Sequence, residues 1–444
     1  MKKIKIFYLL LSIFLISITQ LQANEKQKIK FVRYKLSNGL TVLLHKDNSK
    51  PIVSVGFMYH VGSKDEEPTR TGFAHFFEHL MFEGSKNIKR GEFDKLILNA
   101  GGESNAHTTF DYTYYEASLP SNQLPLILWM ESERLLQLKI DSTGVETQRK
   151  VVKEERRERL DNQPYGNLTE ILFGMSFQKH PYRWLPIGSS QYIDKATLEE
   201  FEEFHRKFYT PENGVLVVAG DIKIKSTKKI IETYFNRIQK SGKKLDRKKI
   251  EEPPIQREIS KTVYYNVEFP ALSYAFHAPA LGTDDYYPFI FIDTILSNGE
   301  SSRLNQNLKI KNELIVNSET SYNPLEDYGL YSITCYSKNE ETYKLISENL
   351  NQELLKIQTE LVTDRELEKV KNRVQRIIFD SNSNLSGIAH NLAEYETFYG
   401  NAGVINTEYN KILAITKEDI RRVAKKYFTL DKKIVLNYLP PKKK

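Results

Sequence analysis

Apolar and polar positions along the chain follow two periods. Phe31 to His45 alternates around Ser37-Asn38-Gly39, which predicts two strands joined by a hairpin turn. Pro51 to His60 predicts a third strand, leading through Gly62 into a segment of helical period. There Phe73, Phe76, Phe77, Leu80 and Met81 share one face, with Pro68-Thr69 as the expected start and Gly84 as the stop. Glu92–Asn99 predicts a short amphipathic helix ended by Gly101-Gly102, and the Thr/Tyr-rich run Glu103–Ser118 predicts a single strand. Helices are then expected over Leu124–Leu138, the charged run Glu146–Leu160, and Leu198–Phe208. A buried strand follows at Gly214–Gly220, and a last helix at Ser226–Gln239 with Ser226 as its N-cap.

A polar stretch, 241–256, ends in Pro253-Pro254 and reads as a linker. Beyond it the pattern repeats. Pro270–Phe276 mirrors Pro51–Phe57, Gly282-Thr283-Asp284-Asp285 mirrors Gly62-Ser63-Lys64-Asp65, and an apolar helix, Tyr286–Leu296, follows. The division expected is a leader (1–23), an N-terminal domain (24–240), the linker (241–256) and a homologous C-terminal domain (257–444).

The leader changes the picture of where the chain works. Lys2, Lys3 and Lys5 precede an apolar run, Ile6–Ile18, and Leu21-Gln22-Ala23 offers a small residue for cleavage, the layout of a secretory signal. The run is short of the roughly 20 residues a spanning helix needs, so a soluble periplasmic protein is expected, with a retained anchor as the lesser alternative. No cysteine lies near the cleavage point, which excludes a lipid-modified N-terminus. Cys335 is the only cysteine and cannot form an internal disulfide. Of the formal charge of +7, three positives belong to the leader, too mild a balance to argue for nucleic acid. Hydrophobic content of 40% is ordinary for a globular protein with sizeable cores.

The candidate chemistry lies in Gly72–Gly84, Gly-Phe-Ala-His-Phe-Phe-Glu-His-Leu-Met-Phe-Glu-Gly. His75 and His79 stand one helical turn apart and project to the same side, with Glu78 beside them. Two such imidazoles can hold one Zn²⁺, and a neighbouring carboxylate can take a proton from water at the metal. The same helix could be plain core that happens to carry histidines, but His-x-x-Glu-His is a zinc peptidase pattern, the inverse of His-Glu-x-x-His. A catalytic zinc needs a third protein ligand. The charged helix offers Glu154 and Glu155 on different faces, and the bare pattern does not choose between them. The second half has no such motif in its helix, so one metal per chain is expected.

With these residues in view, the chain resembles the inverzincin peptidases: pitrilysin, insulin-degrading enzyme, mitochondrial processing peptidase and bacterial relatives. The resemblance runs from about Val32 to Leu439. It includes Leu36–Val42, Gly72–Gly84, Gly101–Ala106, His180-Pro181-Tyr182, Tyr209-Thr210-Pro211 and Val217–Gly220. It implies an α+β fold of two similar domains, each an antiparallel sheet packed with helices, together forming half of a clamshell. It implies zinc held by His75, His79 and Glu155 (76 residues beyond His79), with Glu78 as general base. It assigns the Asn105-Ala106 strand to the substrate, as an edge that an extended peptide joins through backbone hydrogen bonds.

Two departures from the family stand out. Gln148 occupies a position where a supporting Glu is usual, and Glu146 nearby lies at a different helical angle. Where larger relatives supply an Arg and a Tyr from the facing half, this chain has Lys309 and Val316, with Arg303 close by. A homologous partner subunit carrying that Arg and Tyr is therefore expected. The function implied is hydrolysis of peptides or unfolded segments by an exported zinc endopeptidase. Limited processing of one exported partner, or a non-catalytic structural subunit, are the alternatives.

Overall fold

Alternating runs settle into strands because a pleated strand points successive side chains to opposite faces, one of which can be buried. Eleven are described: β1 (Val32–Lys35), β2 (Thr41–Lys46), β3 (Ile52–Tyr59), β4 (Glu103–Thr108), β5 (Thr113–Pro120), β6 (Gly214–Gly220), β7 (Ile259–Tyr264), β8 (Ala271–Ala278), β9 (Ile315–Pro324), β10 (Gly329–Ser337) and β11 (Ile434–Leu439). The structure, a computed structural model, describes residues 28–441 apart from 244 and 248. The expected leader and the Lys442–Lys444 tail lie outside the described residues.

The strands form two sheets, ordered β1-β2-β6-β3-β5-β4 and β7-β11-β8-β10-β9. In each, one pair is parallel, β2 with β6 and β7 with β11; the other pairings are antiparallel. The series β2-β6-β3-β5-β4 and β7-β11-β8-β10-β9 therefore match strand for strand, and the sequence repeat is a repeat of architecture. In the β1–β2 hairpin Gly39 has φ +96°, and a Cβ there would lie 2.8 Å from that of Glu212, so only glycine fits the turn.

Each sheet has helices on both faces, and the halves exchange one. In the first half the inner core packs Val53, Val55 and Phe57 of β3 against Phe76, Phe77, Ile127 and Leu128. On the opposite face Leu43, Met58, Val217 and Ala219 meet Ile388, Ala389, Leu392 and Ala393 of the helix Leu385–Tyr399, from the second half of the chain. Reciprocally, Leu168, Leu172 and Phe173 of the helix Leu168–Ser176 pack on Ala275, Leu330, Ile434 and Leu436 of the second sheet.

The β4–β5 and β9–β10 turns also meet. The largely buried side chain of Lys64 lies 3.0 Å from Asp111 and 3.4 Å from Asp327, and also pairs with Glu326. Glu326 lies 2.8 Å from His60, and the Tyr182 hydroxyl donates to Asp111 at 2.6 Å.

The run Glu103–Ser118 is a hairpin, β4 and β5, and not a single strand. Its turn carries no Gly or Pro; the Thr109 hydroxyl shapes it by accepting from the N–H of Asp111 (3.1 Å) and Tyr112 (3.0 Å). Alternation passes through the turn unbroken, which hid it. The helix Ile224–Phe235 starts before Ser226, whose hydroxyl donates to the Lys223 carbonyl at 3.0 Å and does not cap. The charged helix starts at Ser142, where Asp141 accepts from Gly144 N at 2.8 Å, and ends at Arg156. It continues over 157–161 in a wider winding in which Asn162 N donates to Arg157 O. Among the described residues the polar stretch 241–256 has no helix or strand, but it is anchored to the first half. Glu252 accepts from the N–H groups of Gln178, Lys179 and His180 at 2.6, 2.9 and 2.7 Å.

Candidate metal centre and active site

The histidine helix, Phe73–Leu80, is held rigidly by its apolar face. Phe73 and Phe76 stack on Phe201 with centroids 4.6 and 4.5 Å apart, and Phe77 stacks on Phe204 at 5.4 Å. Its start is set from a distance. Gly72, with φ +97°, takes the place expected of Pro68-Thr69, and the buried Glu66 carboxylate accepts from Gly72 N and Ala74 N, both at 2.9 Å. A carboxylate at a helix N-terminus satisfies orphan N–H groups and meets the positive end of the helix dipole. Trp184 Nε1 donates to the same carboxylate at 3.0 Å.

The opposite face carries His75, Glu78 and His79. The two imidazole rings lie 4.9 Å apart, centroid to centroid. Glu155, from the last turn of the glutamate helix (Ser142–Arg156), reaches between them. Its Oε2 is 3.5 Å from His75 Nε2 and 3.2 Å from His79 Nε2. Ligands at zinc distances in a tetrahedral arrangement are separated by about 3.4 Å, so the spacing fits one ion held by all three. Among the described residues this is the one cluster of three or more such side chains whose donor atoms lie close enough, within 4.8 Å of one another, to hold a metal. Glu154 points elsewhere, half-exposed and paired with Arg157. Tertiary placement thus favours Glu155 over the adjacent carboxylate that the helical pattern left equal.

The electrostatics suit a cation. Burial, with His79 adding to it, pushes the His75 pKa down to about 4, so its imidazole is neutral with a lone pair to give. A hydrogen bond from His79 holds the Glu155 carboxyl below the usual range. Arg159 braces the other oxygen of Glu155 at 2.7 Å. Burial raises Glu78, opposed by the Thr108 hydroxyl, which donates to Glu78 Oε2 at 2.7 Å. A carboxyl raised toward neutrality and held in one orientation is suited to accepting and returning a proton.

Thr108 ends β4, which among the described residues pairs only with β5 and so leaves its outer edge open. Asn105 is exposed and Ala106 half-buried on that edge, and the Ala106 N–H is occupied by the Asn105 side chain at 2.9 Å. The open edge belongs to β4 alone, since β5 is paired on both sides. Thr108, Glu66 and Arg159 were not singled out by sequence reasoning. Thr108 lies three positions after Asn105, but nothing in that spacing marks it as a partner of Glu78.

Residues 41–183 match the insulinase family profile, peptidase family M16, and residues 195–374 match the profile described as the peptidase M16 inactive domain. Over 403 residues the chain is 30% identical to a protein named zinc protease PqqE from Helicobacter pylori, covering 88% of this chain and 89% of that one. The chain belongs to the M16 peptidase family. It is also 26% identical over 409 residues to the mitochondrial-processing peptidase subunit beta of Lentinula edodes, with 88% and 86% coverage. A crystal structure of a protease from Helicobacter pylori superposes with a TM-score of 0.86 at 27% identity, covering 93% of this chain and all of that one.

Gln148, Lys309 and Val316, where the resemblance led other residues to be expected, have defined structural settings. Gln148 donates to Glu83 Oε1 at 2.6 Å, while Glu146 is exposed and paired with Arg149. Lys309 is exposed in the wide-wound turn Asn305–Lys311. Val316 lines a groove of about 570 Å³ with Tyr165, Thr334 and Tyr336. Arg303 is engaged by Glu366 at 2.9 and 3.2 Å.

Proposed function

We propose that the chain is an exported zinc endopeptidase that hydrolyses peptides or unfolded segments, with one zinc held by His75, His79 and Glu155. The observation that carries the reading is the convergence of these three donors beside a half-buried Glu78 that Thr108 holds by one oxygen. Zinc bound there supplies polarisation of the scissile carbonyl and a water acidified to a pKa of roughly 7. Thr108 holds Glu78 Oε2 and leaves Oε1 to take a proton from the attacking water and return it to the leaving amine. The open edge of β4 binds the substrate as an added strand, with Asn105 and Ala106 at the contact.

Export rests on the leader, and the described residues contain no helix long and apolar enough to cross a membrane. Lys309 and Val316 lack the forked hydrogen bonding of Arg and the hydroxyl of Tyr, so full activity requires a homologous subunit that carries both. Likeness to a processing-peptidase subunit favours a second reading, limited cleavage of one exported partner. A quenched peptide library separates the two, since broad cleavage supports the first reading and silence toward the library favours the second.

The central test combines metal analysis with that library. Glu78→Gln is expected to keep zinc and lose at least about 10²-fold in cleavage, whereas His75→Ala and Glu155→Ala lose the metal. Near-wild-type cleavage by Glu78→Gln would refute the assigned base.

A further inference from the structure

We infer that Glu83 and Gln148 form a positioning clamp between the two helices that carry the metal donors, and that the carboxylate at 83 is what requires an amide at 148. The inference rests on the zinc reading above.

The helices run antiparallel. His79 meets Glu155 at the metal; four residues further along one chain segment and seven residues back along the other, Glu83 meets Gln148. A step of seven residues returns to the same face of the glutamate helix, and Glu83, just past the end of the histidine helix, meets that face, so this contact is a second rung about 10 Å along the glutamate helix from the first. Glu83 sits in the turn that closes the histidine helix, its N–H donating to Leu80 O at 3.0 Å. A third rung follows. Arg90 pairs with Glu83 and donates to Asp141 at 2.7 Å, and Asp141 caps the glutamate helix. The line Gln148–Glu83–Arg90–Asp141 thus fixes the height of the glutamate helix against the histidine helix, and with it the reach of Glu155.

The chemistry of residue 148 follows from its partner. Glu83 is 7% exposed and can only accept when ionised, and Gln148 Nε2 donates to it at 2.6 Å. Gln148 Oε1 is buried with no hydrogen-bond partner, so Glu83 alone engages this amide among the described residues. A carboxylate at 148 would put two anions in contact at a buried site. The nearby guanidinium, Arg90, already serves both Glu83 and Asp141. A carboxylate at 148 should therefore push the rungs apart and withdraw Glu155 from the histidines.

The test measures zinc affinity by competition with a chromophoric chelator, with circular dichroism and melting of the zinc-free protein alongside. Gln148→Glu is expected to weaken zinc binding at least about tenfold. The exchanged pair, Glu83→Gln with Gln148→Glu, restores one amide and one acid and should return affinity to within about threefold of the original chain. Equal zinc affinity in Gln148→Glu and the original chain overturns the inference, as does an exchanged pair no better than Gln148→Glu. If Gln148→Glu does not fold, the exchanged pair decides: folded and zinc-binding supports the clamp, and anything else overturns it. An original chain that binds no zinc overturns the zinc reading and the clamp together, whereas zinc binding insensitive to residue 148 overturns only the clamp.

Discussion

Replacing Thr108 by Val removes one hydroxyl and nearly nothing else. The volume is retained, Val suits a strand at least as well as Thr, and the backbone pairing of Thr108 with Thr113 in β5 is untouched. What goes is a 2.7 Å hydrogen bond to the Glu78 carboxylate, together with a marginal 3.5 Å contact to the Thr113 hydroxyl. A hydrogen bond to a charged group contributes about 1.5–3 kcal/mol, which corresponds to roughly 10- to 150-fold in rate if the bond is needed in the transition state. Loss of the base altogether sets the ceiling, about 10²–10⁴-fold, so the expected fall in kcat lies at or below that of Glu78→Gln. KM should hold, because a peptide added to β4 contacts backbone and not this hydroxyl. The sign of the pH effect also follows. Thr108 opposes the burial that raises Glu78, so its loss moves the acid limb of kcat/KM to higher pH. Steady-state kinetics on a quenched peptide across pH, with zinc content measured in parallel, read all three, and Thr108→Ser should recover most of the rate. Unchanged kcat in Thr108→Val, or a change in KM alone, would show that the hydroxyl does not position the base.

Ala106→Pro removes the β4 backbone donor that the Asn105 side chain occupies and that an added strand would take over, and it should raise KM severalfold while the melting temperature stays close to that of the original chain; unaltered KM would move the substrate elsewhere. At the junction of the halves, His60 and Lys64 hold Glu326 down to about 2 against the outward push of burial. Its folded pKa is depressed, so the stability it supplies, about 3 kcal/mol, is present above the unfolded value near 4.5 and is lost as pH falls through about 2. Glu326→Gln should therefore melt earlier at pH 7 and show a flatter stability profile between pH 5 and 2, by calorimetry. Purified alone, the chain should cleave peptides slowly and gain on addition of an exported homologue bearing the Arg and Tyr; full activity as a homodimer with no such gain would refute the need for a second polypeptide.

Much of this architecture is local and was legible in the residues. Gly214–Gly220 and Leu198–Phe208 have the bounds their periodicity implies, because a continuous apolar run or a one-sided 3.6-residue stripe states which face must be buried. The histidine helix is of the same kind, with four aromatic or aliphatic anchors turning His75, Glu78 and His79 to the other side. Periodicity says what a face wants and is silent about what it meets. The partners of the site lie far along the chain: Thr108 is 30 residues from Glu78, and Gln148 is 65 from Glu83. Only the order of strands and the crossing of two helices bring them within hydrogen-bond reach. The choice between Glu154 and Glu155 is of that sort, two identical side chains separated by 100° of helical rotation, one aimed at the imidazoles and the other at Arg157. So is the helix exchange between the halves, since the apolar stripe of Leu385–Tyr399 would suit either sheet by composition and is assigned to the first by packing alone. The turn at Thr109–Tyr112 escaped because a hydroxyl, and not a glycine, makes it, and a hydroxyl acts as a turn-former only where the surrounding fold directs its hydrogen bonds inward.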